Sequence, residues 1–271
     1  MSQWLRFFGF AESPFSKDID AGALWLPSSR RGVLAEMLDS MRDRGHVMLT
    51  GEPGIGKTCL LRALRKKLPD KSFRLSYCHN ATLGRRDFYR QLSMALGLNP
   101  HATAAAVFFQ ITTHVEELAC EKRHPVFLLD EAHLLHQDVL DHLHVLTNYQ
   151  WDQKPLLSLI LIGLPELEDR IALRRNRSLY SRIHTRVFLG AVESCDTSEY
   201  IDHRCKTAGA KNPFSSDAVA ILHEVALGRL REIDRFATAS LKSAARKKSA
   251  IIDRDIVKGV IDKYASVGVG S

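Results

Sequence analysis

The chain has 271 residues, which at roughly 150 residues per domain is one large domain or a domain with a smaller satellite. Its 45% hydrophobic and 25% charged residues exclude a disordered or fibrous chain. The balance of 38 Lys+Arg against 31 Asp+Glu, net +7, leans toward polyanionic partners but decides little alone.

Five cysteines, an odd number without a C-x-x-C pair, argue against a secreted disulfide framework and against a zinc ribbon. The expectation is a reducing, cytoplasmic compartment. No segment reaches the ~18 apolar residues of a bilayer span, so no membrane span is expected. The N-terminal MSQWLRFFGF lacks the charged-then-apolar layout of a signal peptide.

Taken in order, His46–Thr50 is a short apolar run that enters a glycine-rich turn. Leu60, Leu61, Leu64 and Leu68 follow at helical spacing, and Pro69 stops that helix. Residues 73–78 alternate like a strand, and residues 86–96 read as a helix ended by Gly97 in the left-handed stop position. Another helix covers residues 104–122. Residues 125–129 and 157–162 are continuous apolar runs, the mark of strands buried on both faces, with a helix over 138–149 between them. Strands alternating with helices predict a parallel sheet covered by helices, an α/β fold. Beyond about Leu189 the strand signal vanishes. Three helical stripes remain: Ala218/Ile221/Leu222/Val225, Ile233/Phe236/Ala237/Leu241 and Ile256/Val257/Val260/Ile261, the last opened by Asp253 as N-cap.

The glycine turn reads Gly51-Glu52-Pro53-Gly54-Ile55-Gly56-Lys57-Thr58, which is G-x-x-x-x-G-K-[ST] without deviation. Glycines let successive backbone N–H groups converge on phosphate oxygens, and the following helix adds its positive end. Lys57 is expected to reach the β- and γ-phosphates of ATP, and the Thr58 hydroxyl to ligate Mg²⁺. The second nucleotide motif is an acid at the tip of a buried strand. Val126-Phe-Leu-Leu is followed by Asp130 and Glu131, the first expected to hold Mg²⁺ and the second to polarise the attacking water.

Asp130-Glu-Ala-His133 also spells a motif of helicases with two tandem nucleotide folds. The helical chain after about residue 190, with no second sheet, argues against that reading. His133 with His136, and His142 with His144, lack the i, i+4 spacing and acidic partners of a metal site and read as solvated or packing side chains.

The chain resembles AAA+ ATPases of the ExeA/GspA, TniB and Mu B-type group over nearly its whole length. The resemblance is carried by Phe8–Phe15, Leu24–Ser28, Ile162–Leu167, Tyr200–Arg204, Ala208–Ala210 and Gly228-Arg-Leu-Arg231-Glu-Ile-Asp234. It implies an N-terminal segment (1–30), a P-loop ATPase core (31–190), a small all-helical lid (191–265) and a flexible tail (266–271). It also implies that Arg231 senses the γ-phosphate and that Arg182, with Arg186 second, is an arginine finger completing a neighbouring subunit's site. Two positions depart from the pattern. Gly163-Leu164 stand where a polar sensor is usual at the end of the fourth strand, and Leu230 replaces the lid motif's proline. The first departure implies slow hydrolysis, with ATP as an assembly switch.

Arg170, Arg174, Arg175, Arg177, Arg182 and Arg186 form one basic cluster, and Lys242, Arg246, Lys247 and Lys248 another. They suggest non-specific, salt-sensitive binding of double-stranded DNA. The reading that follows is an ATP-dependent homo-oligomer, ring or filament, that assembles on DNA and recruits a DDE transposase or integrase. The alternatives are an ExeA-type accessory ATPase of a secretion pathway and a regulatory switch ATPase without DNA. The sequence ends at Ser271 with neither a membrane span nor a peptidoglycan-binding region, which weighs toward transposition.

Overall fold

The computed structural model describes residues 2–16, 24–78, 83–100, 103–149 and 153–268. The first elements are α1 (Gln3–Phe8), α2 (Ser28–Arg42), β1 (Val47–Thr50), α3 (Lys57–Lys67), β2 (Phe73–Cys78), α4 (Arg85–Leu96) and α5 (Ala104–Cys120). Next come β3 (His124–Leu129), a 3-10 turn (Ala132–Leu134), α6 (Gln137–Leu146), β4 (Ser158–Gly163), α7 (Glu166–Ala172), α8 (Arg177–Tyr180) and β5 (Thr185–Phe188). The chain continues with α9 (Ser194–Thr207), α10 (Ser216–Ala226), α11 (Leu230–Arg246) and α12 (Arg254–Gly268). It divides into two compact units. One contains 32–52 and 61–189, the other 1–31, 53–60 and 190–271.

The first unit is built on a five-stranded sheet in the order β2-β3-β4-β1-β5, parallel at every pairing. The apolar runs behave as their composition dictates. Every residue of β1, β3 and β4 is buried, whereas β2, at the sheet edge, exposes Arg74 and Tyr77. Each fully buried Leu, Ile or Phe in these strands contributes roughly 1.5–3 kcal/mol. Gly97 ends α4 at φ 79°, the left-handed stop its position predicted. β5 has no counterpart in the sequence reading. Of its four residues only Val187 is buried, and pairing to β1 alone holds it as an edge strand.

His124 opens β3, and its Nε2 lies 2.8 Å from the Ser158 hydroxyl that opens β4. Burial, with Arg44 and His46 close by, pushes its pKa down to about 4. The native ring stays neutral at pH values where the unfolded chain, near 6.5, takes up a proton. Stability therefore decreases as pH drops from about 6.5 to about 4, by roughly 3 kcal/mol for this group, and is flat on either side. Denaturant midpoints measured across that window should slope less in His124→Gln. Identical slopes would remove His124 as the source.

The second unit is helical. Ile233, Phe236, Ala237 and Leu241 of α11 are all buried, as are Ala218 and Leu222 of α10, while Val225 at the end of the first stripe is exposed. Asp253 caps α12, its carboxylate accepting from the Ile256 N–H at 2.9 Å. α12 runs to Gly268, into the stretch expected as a tail; residues 269–271 lie outside the described residues. The N-terminal segment packs into this unit. Gly9 at φ 75° ends α1, and Phe10 and Phe15 join the core of Ile201, Leu222 and Ile233. Buried Arg204 of α9 fixes the segment by donating to the carbonyls of Pro14 and Ser16.

Candidate functional site

The phosphate loop leaves β1 at Thr50 and enters α3 at Lys57. Gly54 sits at φ 76° and Gly56 at φ 104°, conformations that residues with a Cβ adopt only under strain. Both glycines are also closely covered. A Cβ on Gly54 would lie 2.7 Å from Cβ of Arg231, and one on Gly56 would lie 2.6 Å from Nη1 of Arg30 and 3.0 Å from Cδ1 of Leu230. The Arg231 N–H donates to the Gly54 carbonyl at 3.1 Å. Arg231 and the loop, far apart in sequence, are thus in direct contact within one unit. Leu230 is buried against the loop.

Arg30 carries no motif and was missed from sequence. It is 5% exposed, donates to the Gly190 carbonyl at 3.3 Å, and burial lowers its pKa despite Cys59 and Asp196 nearby. Its neighbour Ser29 donates to the buried Asp196 carboxylate at 2.8 Å, which fixes this turn of α2.

Asp130 and Glu131 follow β3. Because the strands are parallel and β4 alone separates β3 from β1, the acids and the start of the phosphate loop emerge at the same edge of the sheet. Asp130 Oδ1 accepts from the Glu131 N–H at 2.9 Å, and Oδ2 accepts from the Tyr77 hydroxyl. A carboxylate has about four lone-pair sites, so Asp130 keeps acceptor capacity for a hydrated hard cation. Tyr77 is a second residue that sequence did not single out. Burial first, then its bond to Asp130, raises its pKa. Glu131 sits at φ 52°, ψ 36°, a left-handed conformation rare outside glycine, and its side chain is half exposed.

By their chemistry the Gly51–Thr58 loop suits the phosphates of a nucleoside triphosphate, and the acid pair suits a hydrated Mg²⁺ ion. A glycine cradle of this kind lets successive backbone N–H groups converge on phosphate oxygens. α3 presents its N-terminus to that cradle and carries Arg65, Lys66 and Lys67 in its last turn, the favourable sense for its dipole.

The arginines are less uniform than their spacing suggests. Arg170 donates to the carbonyls of His133, at 2.6 Å, and Leu135. Arg175 pairs with Asp141 at 2.8 Å. Arg186 lies over the Tyr180 ring, 3.5 Å from its centroid, and donates to the carbonyls of Ile183 and Tyr180. Arg170, Arg175 and Arg186, all expected on DNA, are thus engaged within the chain. Arg182 donates to the Ser178 carbonyl at 3.0 Å and is half-buried. The histidines expected to be solvated or packed have definite partners: His142 meets the Tyr89 hydroxyl at 2.8 Å, and His136 caps α6 by accepting from the Asp138 N–H.

Residues 40–171 match the family described as AAA domain. The General secretion pathway protein A of Aeromonas hydrophila is 34% identical over 259 residues, 93% of this chain and 47% of that protein. The chain is an AAA+ protein of the GspA type. It spans about half the length of that curated relative. The AAA+ fold extends to solved structures of much lower identity. CDC6P from Pyrobaculum aerophilum has a TM-score of 0.65 at 18% identity, covering 89% of this chain and 67% of its own. The Thermotoga maritima RuvB Holliday junction branch migration motor has 0.61 at 17%, covering 93% and 73%. Drosophila ORC bound to DNA has 0.64 at 17%, covering 96% and 65%. At such identities the likeness speaks for the fold alone. In this AAA+ chain, among the described residues, no helix is long and apolar enough to cross a membrane.

Proposed function

We propose that this AAA+ chain is an Mg²⁺-dependent ATPase that assembles with copies of itself and serves as an accessory of a general secretion pathway. The observation that carries the nucleotide reading is the phosphate loop, with two glycines in left-handed conformations and Arg231 hydrogen-bonded to one of them. Lys57 neutralises the β- and γ-phosphates, and Arg231 senses the γ-phosphate from the lid. Thr58 and Asp130 hold the metal. Bound there, Mg²⁺ supplies electrostatic stabilisation of the charge that develops on the phosphoryl oxygens. Glu131 orients the attacking water and accepts its proton. Arg182, with Arg186 second, completes the site of a neighbouring subunit. ATP-dependent work and five free thiols fit the cytoplasmic side of an envelope.

The secretion reading rests on the name of the 34% identical relative. It takes precedence over the transposition reading, because the named relative is a secretion-pathway protein. DNA binding keeps one line of support. The names of two structural neighbours describe a DNA-bound protein and a branch-migration motor. The internal roles of Arg170, Arg175 and Arg186 weaken it.

Sedimentation velocity with and without Mg·ATP tests the proposal. The wild type should shift to a larger species with ATP, and Lys57→Ala, which loses a charge-assisted contact, should bind ATP about ten- to a hundredfold more weakly and stay unshifted. A wild type indifferent to ATP would overturn self-assembly. Added duplex DNA should leave the assembly unchanged. DNA binding that falls steeply with salt would restore the DNA-based reading.

A further inference from the structure

The end of β4 raises a question that the motifs leave open. This strand lies between β1 and β3, with Gly163 opposite Thr50, so its tip borders both the phosphate loop's origin and the acid pair. A polar side chain there would help hold the attacking water, yet the tip is Gly163-Leu164. The space is already filled. A Cβ on Gly163 would lie 3.2 Å from the backbone nitrogen of His133, 3.3 Å from its Nδ1, and 3.0 Å from Cδ2 of Leu167.

His133 is held at that position from several directions. It lies in the 3-10 turn after Glu131, closed by the Leu134 N–H donating to the Glu131 carbonyl at 2.8 Å. Arg170 of α7 clamps the turn through the carbonyls of His133 and Leu135. Arg170 is itself braced, its own carbonyl accepting from buried Asn176 at 2.8 Å, whose Oδ1 accepts from Gln137 at 2.6 Å. The His133 side chain is 14% exposed. Its Nδ1 accepts from the Leu164 N–H at 3.4 Å and lies 3.5 Å from Glu131 Oε2. One nitrogen faces two neighbours and serves them by opposite means. Bare, it accepts from Leu164; carrying the ring proton, it donates to Glu131.

We infer that His133 is a positioning residue for Glu131, supplying from the β3 side the polar group that the tip of β4 lacks. Its ring stands between the carboxylate and the end of β4, with Nδ1 within reach of both. The left-handed backbone of Glu131 fits this role, since it turns the residue into the loop that His133 closes. The inference rests on the hydrolytic reading above, in which Glu131 handles the water.

The test uses the full chain with His133→Leu, His133→Asn and Glu131→Gln, alone and combined. In His133→Leu, kcat should fall by about ten- to a hundredfold, the scale of a misplaced catalytic group. Affinity for a fluorescent ATP analogue with Mg²⁺, and the unfolding midpoint without nucleotide, should stay near the wild-type values. His133→Asn places an amide where Nδ1 stood and should recover most of kcat. Adding His133→Leu to Glu131→Gln should reduce turnover no further. In ¹⁵N-labelled protein without nucleotide, the His133 ring resonances, identified by their loss in His133→Asn, should move in Glu131→Gln. Equal losses in the Leu and Asn variants, additive losses in the double variant, or unmoved ring resonances would each overturn the assignment. A wild type that binds Mg·ATP but never turns it over would overturn the hydrolytic reading instead, and the assignment with it.

Discussion

Glu131→Gln should keep Mg·ATP bound while its turnover falls by about 10²–10⁴-fold, the usual range for loss of a general base. The amide has nearly the same shape as the carboxylate but cannot take a proton from water. The substitution leaves the local structure little reason to change. The side chain is half exposed, and the left-handed backbone at φ 52° strains glutamine no more than glutamate. Asp130 keeps its bonds from the Glu131 N–H and Tyr77, so metal binding should survive. Phosphate release at saturating ATP, measured beside nucleotide affinity, checks both halves. An unchanged rate would remove Glu131 from its role.

Gly228→Ala should destabilise the helical unit by roughly 2–5 kcal/mol, the sum of left-handed strain and overpacking. Gly228 sits at φ 64°, directly after Leu227 at φ 50°, so two successive residues turn the chain from α10 into α11. The new Cβ would lie 2.4 Å from the Val192 carbonyl oxygen, 3.0 Å from the Ala191 Cβ and 3.2 Å from the Val192 nitrogen. Two of these atoms are backbone, so no side-chain rotation relieves the overlap. The Gly228 carbonyl also accepts from the Val192 N–H at 3.1 Å, and separating the two segments breaks that bond. Three residues further on, the Arg231 N–H holds the phosphate loop at Gly54, so nucleotide affinity should fall with stability. Denaturant unfolding and nucleotide titration of the variant check the two effects. A midpoint equal to the wild type would mean that the turn yields freely.

Much of the site was legible because its signals are local. A glycine loop between an apolar run and an amphipathic helix, and two acids after a run of four apolar residues, need only neighbours in the chain to declare themselves. The same holds for Gly97 and Asp253 at helix ends. The arginines show where such reading stops. Spacing presents Arg170, Arg175 and Arg186 as one basic surface. Folded, they clamp a loop, pair with an aspartate and lie over a tyrosine. A cation's partner is chosen by what packs beside it, and no local pattern encodes that.

By itself, then, the sequence determined the alternating α/β core, the phosphate loop, the acid pair and the helical region after residue 190, since periodicity and turn chemistry act within a few residues. Only tertiary structure decided that β5 completes the sheet, that Phe10 and Phe15 belong to the helical unit's core, and that Arg30 and Arg231 close over the loop. It alone brought His133 to the tip of β4. These outcomes depend on which distant surfaces exclude water together, and that is a property of the whole packed chain rather than of any segment of it.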